Sequence, residues 1–443
     1  MKNSPKSSLA PLALACFGLA SVMGLAACGG GGGEQTATSS APPAALADPR
    51  ETSVTPSSTV RWKGVGSVRI GLAGITQSTD GGVWALGAED GDAGRPFLRK
   101  IGGANTCGAD GLRFLSEIYT RFDRRQGPVS MTTVQSGRFY AAFMGPGTVF
   151  VARFDEATCA ADPSFGAQGV ISIPLSGLVT VTHIALQRDR NDGVLVAAAI
   201  PGQVLLRRFT GNGVWDSQFG TNGLATNPNA DGFSVKSLAV SRNGDILISG
   251  SAGAQVAYQP ALLKLNSKGL PVTTFGAAGV QRYPSLSLGT GNTDSLLVED
   301  DRVIVSVASG SSVTSSDFNS NDSMVAAMDL QSGRLRTEFG AGGSLTWDWG
   351  YSSTEATAQW MPNVRGGYIG CGHVMRSLLL GQALSLVDIT ADGKPDATVG
   401  YQGRRLIAGT NDATCAGLLR LSDGRLVVAA RDGGEAVVMF IDR

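Results

Sequence analysis

The chain has 443 residues, and its 36 lysines and arginines balance its 36 aspartates and glutamates, so the formal net charge is zero. A balanced charge provides no general attraction to nucleic acid or to an anionic surface, and we predict no nucleic-acid partner. The 61 glycines and only two histidines favour a chain rich in turns over one built around a metal or an acid–base centre.

The first 27 residues have the layout of a secretory signal peptide. Lys2 and Lys6 precede an apolar run at 9–27, which is followed by Cys28. The ending Leu-Ala-Ala-Cys resembles the bacterial lipobox, which implies cleavage before Cys28 and acylation of its thiol and its new amino group. More than one acyl chain anchors a protein stably in a membrane. The alternative is an ordinary cleaved signal peptide with a chance cysteine.

The segment after this signal is predicted to be a tether. The residue after Cys28 is Gly29 and not Asp. This resembles the pattern of lipoproteins that move on to the outer membrane of Gram-negative bacteria. Residues 28–57 are rich in Gly, Ser, Thr, Ala and Pro and too poor in large apolar side chains to form a core. We expect them to hold a folded domain, residues 58–443, off the membrane. No later run is long and apolar enough to span a bilayer.

From residue 58 onward, short strand patterns separated by glycine turns recur in one order. The second strand of this order is recognisable seven times, at 83–87, 139–143, 194–198, 246–250, 303–307, 368–372 and 426–430. Its many Ala, Gly and Ser residues allow adjacent sheets to pack closely near a central axis. Seven such units predict an all-β fold, a seven-bladed β-propeller of four-stranded blades. An open β-solenoid is the rival, although its repeats are usually shorter.

The ends of the repeat array predict how the ring closes. The seventh unit has three strand patterns, and a further strand pattern at 59–62 precedes the first unit. We expect this N-terminal strand to join the C-terminal blade as its fourth strand, because that pairing removes an open sheet edge.

A Phe-Gly-x-x-Gly motif follows the third strand of five units. Its clearest copy, DPSFGAQGV, runs from residue 162 to residue 170, and successive copies are 54, 56, 64 and 60 residues apart. Glycine tolerates positive φ in a tight bend, and Phe is large enough to fill a gap against the next blade. The motif residues are Phe165, Gly166, Gly169, Phe219, Gly220, Gly223, Phe275, Gly276, Gly279, Phe339, Gly340, Gly343, Val399, Gly400 and Gly403.

The longer pattern Asp-x-x-Phe-Gly-x-x-Gly-Val, after a strand and a glycine turn, resembles the delta-60 repeat family of bacterial β-propellers. The resemblance covers residues 184–403, and the flanking units share only the strand pattern. Unit one lacks a recognisable Phe-Gly, and Asp is absent before Phe275 and Phe339. The resemblance implies a propeller that is often exported, and it brings no catalytic residue.

Four cysteines fall in the folded part, where export permits disulfides. Cys107 and Cys159 lie at equivalent points of consecutive units, and Cys371 and Cys415 lie in two further consecutive units. Because neighbouring units touch, we predict the bridges Cys107–Cys159 and Cys371–Cys415. Four free buried thiols are the alternative, since spacing does not test bridge geometry.

Residues with catalytic or metal-binding chemistry are few. His183 and His373 each lie in a strand pattern without a neighbouring cluster of His, Asp or Glu, which favours a structural role over that of a ligand or base. The sequence has no nucleophile elbow, phosphate loop or dinucleotide fingerprint. We therefore predict no cofactor, with calcium as the one candidate ion.

The calcium candidate is a loop with alternating oxygen-bearing residues, Asp317, Asn319 and Asn321. It resembles the start of a calcium loop, but it lacks Gly at the sixth position and has Met328 where the twelfth would be Glu. A solvated polar loop is the favoured interpretation.

Long loops in units four to six mark one face of the ring as the candidate binding face. These loops connect second to third strands and fourth to first strands. Near them, Trp347, Trp349 and Tyr351 place three aromatic rings on one side of an extended segment. The rings could stack on sugars or on a partner chain, or they could pack between blades, which is the favoured alternative.

Two functions fit these features. The first is an outer-membrane lipoprotein whose monomeric propeller binds a protein or a glycan without catalysis. The second is a propeller enzyme that acts on carbohydrate or a small molecule, such as a lyase or a quinone-dependent dehydrogenase. Few histidines and no clustered acids weigh against the enzyme, and Asp, Glu, Arg or His side chains converging at the axis would favour it.

Overall fold

Apolar strands alternating with glycine turns build almost all of the described chain. The computed structural model describes residues 52–63, 69–89, 94–104, 107–115, 128–145, 147–175, 183–189, 191–200, 203–227, 230, 232–253, 259–286, 292–308, 323–347, 349, 355–377 and 381–442. Cys28, Asp317, Asn319, Asn321 and Tyr351 lie outside these residues. The described part contains no helix long and apolar enough to cross a bilayer.

The described strands are, in chain order, β1 (Ser53–Val54), β2 (Ser58–Trp62), β3 (Ile70–Gln77), β4 (Val83–Glu89), β5 (Pro96–Ile101), β6 (Leu112–Phe114), β7 (Pro128–Met131), β8 (Arg138–Gly145), β9 (Thr148–Asp155), β10 (Ala160–Ala161), β11 (Val170–Pro174), β12 (Ile184–Arg188), β13 (Val194–Ile200), β14 (Gln203–Phe209), β15 (Ser234–Val240), β16 (Ile246–Ala252), β17 (Gln259–Leu265), β18 (Val280–Arg282), β19 (Asn292–Val298), β20 (Arg302–Ala308), β21 (Ser323–Asp329), β22 (Ser344–Trp347), β23 (Glu355–Pro362), β24 (Tyr368–Ser377), β25 (Gly381–Ile389), β26 (Arg404–Ile407), β27 (Ala413–Arg420), β28 (Leu426–Asp432) and β29 (Glu435–Ile441). Two short 3-10 helices, Ala109–Gly111 and Pro284–Leu286, lie between strands.

These strands form seven sheets, which we number as blades along the chain. The blades are β3–β6, β7–β11, β12–β14, β15–β18, β19–β22, β23–β26 with β1, and β27–β29 with β2. In blade 3 the fourth strand is reduced to one bridge between Leu206 and Ala225. Each blade's first strand is innermost and contacts the first strand of the next blade, and β27 contacts β3, so the described ring is closed. The predicted seven-bladed propeller is confirmed.

Seven hydrophobic clusters fill the seven interfaces between adjacent blades. The cluster between blades 3 and 4, for example, joins Leu206 and Phe219 to Ile248. Because both faces of each sheet are covered, the middle strands are near-continuous apolar runs. This double burial explains why the second strands are recognisable in the sequence.

The two ends of the described chain meet in blade 7. Strand β2 pairs antiparallel with β29, placing Ser58 opposite Phe440 and Trp62 opposite Ala436. The Trp62 ring is buried, and the Arg99 guanidinium of blade 1 lies 4.5 Å from its centroid. The outer strand of blade 7 thus also contacts blade 1.

The N-terminal boundary of the domain differs from the prediction. Residues 52–57 were assigned to the tether, but β1 pairs in parallel with β26 of blade 6. The Leu406 N–H donates to the Thr52 carbonyl at 2.8 Å, and the Ala408 N–H donates to the Val54 carbonyl at 3.0 Å. A two-residue edge strand is held mainly by backbone hydrogen bonds, which leave no side-chain pattern in the sequence.

The Phe-Gly motif joins each of blades 2 to 5 to the next blade. The Phe219 ring is fully buried against Gly269, where an added Cβ would lie 2.8 Å from the ring. The Gly220 N–H also donates to the Lys268 carbonyl in the same turn, at 2.7 Å. Equivalent contacts pair Phe275 with Gly333 and Phe339 with Gly393, whereas between blades 2 and 3 Gly213 lies against the Gly166 backbone. We call this ring-on-glycine contact the Phe-Gly joint.

A cation in the third strand lies against the ring of this joint. The Arg153 guanidinium is 5.2 Å from the Phe165 centroid, and its Nη2 is 2.9 Å from a carboxylate oxygen of Asp162. Blade 3 repeats the arrangement with Arg208, Phe219 and Asp216. The Asp of the repeat therefore neutralises a buried arginine at the joint.

Blade 1 has a copy of the motif that the sequence analysis missed. Residues 107–112 read Cys-Gly-Ala-Asp-Gly-Leu, with Cys107 in the place of Phe. Gly108, Asp110 and Gly111 have φ of 56°, 55° and 70°, against 57°, 54° and 87° for the matching residues of blade 2. The statement that unit one lacks the motif is corrected to a substitution of Phe by Cys.

Both predicted disulfides are confirmed, and each joins neighbouring blades. Cys107 bonds Cys159 across blades 1 and 2 with a Cα separation of 5.3 Å, and Cys371 bonds Cys415 across blades 6 and 7 with 6.2 Å. Both separations fall in the usual range for disulfides. Cys159 follows the third strand of blade 2 and has φ of 54°, so it takes the turn position that Gly213 occupies in blade 3.

Candidate functional site: the axial pocket

Six of the seven innermost strands carry a β-bulge at an equivalent position. The register shifts lie at Leu72/Gly74, Pro128/Ser130, Val235/Ser237, Thr293/Ser295, Thr357/Gln359 and Cys415/Gly417. The exception is β12, which pairs without a shift. A bulge adds one unpaired residue and increases the local twist, and therefore changes where side chains point.

A cavity of about 370 Å³ lies on the axis at the height of these bulges. It is lined by residues of the innermost strands of blades 1 to 6, such as Ala73 to Ile75 in blade 1 and Lys236 to Leu238 in blade 4. Its polar lining consists of Ser130, His183, Lys236, Ser237, Ser295 and Gln359. We call this cavity the axial pocket.

Three of these polar groups connect strands. The Ser130 hydroxyl accepts from the Leu186 N–H at 3.4 Å, between blades 2 and 3. The Gln359 side-chain oxygen accepts from the Leu418 N–H at 2.8 Å, between blades 6 and 7. Ser295 is hydrogen-bonded to Ser306 within blade 5. These bonds satisfy backbone N–H groups of the innermost strands.

Lys236 and His183 form the charged part of the pocket. Lys236 is the extra residue of the β15 bulge and is half-buried. His183 directly precedes β12 and is hydrogen-bonded to the Lys236 backbone. Burial, together with the charge of Lys236, lowers the pKa of His183 to about 4. At neutral pH its imidazole is uncharged and has one N–H, which the bond to the Lys236 backbone engages, so the other ring nitrogen is a hydrogen-bond acceptor.

The pocket is positive among the groups that the structure describes. None of its lining residues carries a carboxylate, and Lys236 forms no ion pair with a residue whose side chain the structure describes, a set that does not include Asp294. The other lining positions are divided equally between small or amide residues and large apolar residues. The arrangement can therefore provide one ammonium, hydroxyl donors and a neutral imidazole to a ligand.

Comparison with known proteins adds no family. No protein-family model matches the chain, and no curated protein matches it. Three solved structures of similar architecture are the WD40 domain of Pan2 from Neurospora crassa, at 11% identity with a TM-score of 0.44, covering 89% of this chain and 97% of that one; the Dos1 propeller, at 10% and 0.45, covering 84% and 77%; and YCF48 from Cyanidioschyzon merolae, at 9% and 0.44, covering 86% and 98%. At these values the similarities carry no functional conclusion, and the fold assignment rests on the strand pairing.

Two of the three residues of the predicted aromatic row, Trp347 and Trp349, are buried and do not form a surface on which a ligand could stack. Trp347 and Trp349 are 7% and 2% exposed, in the cluster between blades 5 and 6. The Trp347 and Trp360 rings are edge to face with centroids 5.5 Å apart. Of the two alternatives for these side chains, the structure agrees with the favoured one, packing between blades, because burial leaves no ring face for a ligand. Tyr351 lies outside the described residues.

The second histidine is remote in the ring from the first. His373 lies in β24 of blade 6, opposite Leu384, and burial lowers its pKa to about 4. Among the described residues, no group of three His, Cys, Asp or Glu side chains is placed to hold a metal ion. The calcium candidate, Asp317 with Asn319 and Asn321, falls outside them and stays a prediction.

Sequence reasoning missed the axial pocket and Lys236. A lysine in the first strand of unit four looks like an ordinary solvent-facing residue of an alternating pattern. One signal was present, because the equivalent bulge positions in blades 1, 6 and 7 are Ala73, Ala358 and Ala416. Blade 5 has Asp294 at the same position, so a charged residue there marks the innermost strands of blades 4 and 5 as different.

Proposed function

We propose that the protein is an outer-membrane lipoprotein of a Gram-negative bacterium, with a propeller of the delta-60 repeat type that binds a protein or a glycan without catalysis. A β-propeller is a general scaffold for binding, since a rigid ring holds loops and an axial opening in fixed positions. The observation that carries the proposal is the axial pocket, where polar side chains of several blades converge. The anchor is supported by the lipobox resemblance at Cys28.

The anchor is tested by substituting Cys28→Ser in the full chain and separating membrane from soluble fractions. The expected result is release of the protein from the membrane, because without the thiol no lipid is attached. The matched control is Cys16→Ser, which changes a cysteine inside the apolar run and should leave membrane association unchanged. Equal membrane association of the Cys28 variant and the native chain would refute the anchor.

Binding is tested by capturing envelope extracts and a set of isolated glycans with the full chain, purified in detergent. We expect a specific protein or glycan to be retained, and an excess of the same molecule in free form should prevent its retention. Recovery of neither class would contradict the binding function. The enzyme alternative is tested separately, by incubating carbohydrates with catalytic amounts of the native chain. Conversion of a carbohydrate to product would favour a propeller enzyme over a binding module.

A further inference from the structure

We infer that the axial pocket binds an oxyanion, the carboxylate of an acidic sugar or a free inorganic anion, with Lys236 as its charge partner. The inference deepens the proposed binding function by naming the chemistry that the pocket recognises. It does not depend on the membrane anchor.

Charge is the first reason. Lys236 projects from a bulge into a cavity whose described lining has no carboxylate. An ammonium group that is partly removed from water costs free energy unless an opposite charge or hydrogen-bond acceptors compensate it. An oxyanion in the pocket supplies both.

Hydrogen-bonding groups beside the charge are the second reason. Ser237 follows Lys236 and supplies a hydroxyl, and His183 lies against the Lys236 backbone. An oxyanion accepts several hydrogen bonds, and charge-assisted bonds to an ammonium are stronger than those between neutral groups. Lys236 and Ser237 therefore supply donors that match an oxyanion, while the single N–H of the neutral His183 imidazole is engaged by the Lys236 backbone.

Size is the third reason. The cavity of about 370 Å³ lies within the range of small-molecule sites. It has room for a monosaccharide or for a small anion with water. A folded partner would reach the pocket only with a protruding side chain or sugar.

One residue of opposite charge lies nearby in the fold. Asp294 is the extra residue of the bulge in β19, and β19 neighbours β15 in the ring. If Asp294 neutralised Lys236, the native pocket would have no affinity for oxyanions. The variant Asp294→Asn distinguishes a Lys236 that Asp294 neutralises from one that it does not. Only if Asp294 neutralises Lys236 would the substitution create oxyanion binding that the native chain lacks.

The test is isothermal titration calorimetry of the full chain in detergent with glucuronate, acetate, phosphate and neutral glucose. We expect an oxyanion to bind and glucose not to bind. Lys236→Met should weaken that binding by about ten- to hundredfold, the effect of losing a hydrogen bond from a charged group, while Lys236→Arg should retain most of it. Lys268→Met is the matched control, because it removes the same charge from an exposed turn.

The outcomes separate cleanly. Tightest binding of glucuronate assigns the pocket to an acidic sugar, and tightest binding of phosphate assigns it to a free anion; both support the inference. Equal binding of glucose, no oxyanion binding, binding only in Asp294→Asn, or equal losses in the Lys236 and Lys268 variants would overturn it. Unfolding curves that match the native chain establish that the variants are folded. If the native chain and Lys236→Met capture a partner equally and neither binds an oxyanion, the proposed binding function is retained and the oxyanion inference is rejected.

Discussion

The joint between blades 1 and 2 and the joint between blades 3 and 4 use the same backbone geometry with different chemistry. At the later joint, the Phe219 ring covers Gly269. At the earlier joint, Cys107 replaces the Phe and Cys159 replaces the glycine, and a disulfide connects them. The comparison shows that the repeat specifies a pair of facing positions, and that either a ring-on-glycine contact or a covalent bond can fill them.

A similar replacement occurs at the other end of the repeat array. Blade 6 has Val399 at the Phe position, and its following blade takes β2 as its outer strand in place of a strand continuous with β29. In blades 3 to 6 a glycine turn follows the third strand, and the described part of blade 7 contains no such turn after β29 for a ring to pack against. Here Cys371 and Cys415 cross-link the two blades closer to the axis. Disulfides thus occur at the two joints that flank the Phe-Gly joints.

The largest expected effect comes from breaking a Phe-Gly joint. Phe219→Ala removes a fully buried ring from the interface and leaves a cavity, so we expect a loss of about 3 to 5 kcal/mol in the free energy of unfolding. Urea denaturation monitored by tryptophan fluorescence measures it. A loss no greater than that of an exposed control such as Val364→Ala would show that the ring does not hold the joint.

Removing the disulfide between blades 1 and 2 ranks second. The double variant Cys107→Ser with Cys159→Ser should lose about 2 to 4 kcal/mol, since the bridge closes a loop of 52 residues in the unfolded chain. The same denaturation, with and without reductant, measures the effect. The native chain should fall toward the variant under reductant, and native stability that reductant leaves unchanged would contradict the role of the bridges.

An intermediate effect is expected from the charge beneath the ring in blade 2. Burial by itself raises the pKa of Asp162, but hydrogen bonds from Ser164 and the charges of Arg153 and Arg138 outweigh it and hold the pKa below its ordinary value. The ionised carboxylate therefore stabilises the fold above pH of about 4, and this stability is lost as the pH falls below that value.

Asp162→Asn should cost about 1.5 to 3 kcal/mol at pH 7, the range of a hydrogen bond to a charged group. Denaturation curves at pH 7 and at about pH 3 should show that the difference between native chain and variant shrinks in acid. A difference that is constant with pH would indicate a packing effect without an electrostatic one.

The smallest net effect is expected when one joint is converted into the other. Cys107→Phe with Cys159→Gly rebuilds the ring-on-glycine pair at the first joint, so it should be more stable than the double serine variant by about 1 kcal/mol or more. Reductant should then act on the Cys371–Cys415 bridge alone. A swap variant no more stable than the serine variant would show that blade 1 cannot accommodate the ring, and that the two joints are not interchangeable.

The sequence predicted the fold more completely than the site. Strand number, blade order and both disulfide pairs follow from patterns that recur with the repeat. Prediction failed at Cys107, because a motif search keyed to Phe does not recognise a residue that shares only its position and backbone conformation. It also failed at β1, where backbone hydrogen bonds carry the pairing without a side-chain pattern.

The sequence left the role of the aromatic row open between two alternatives, and it did not indicate the axial lysine, for a different reason. Whether Trp347 faces a ligand or a neighbouring blade depends on the packing of two blades, which a single strand pattern does not contain. Lys236 reaches the axis because β15 bulges there, and a bulge is defined only by the register of β15 against β16.

By itself, the sequence determined that seven sheets form and which ones are neighbours, because alternating apolar residues, glycine turns and the repeat period are local properties of the chain. Only the tertiary structure decided which side chains face the axis and which positions face each other across a joint. Those relations are set by pairing register and by contact between blades, and residues far apart in sequence meet there only after the ring has formed.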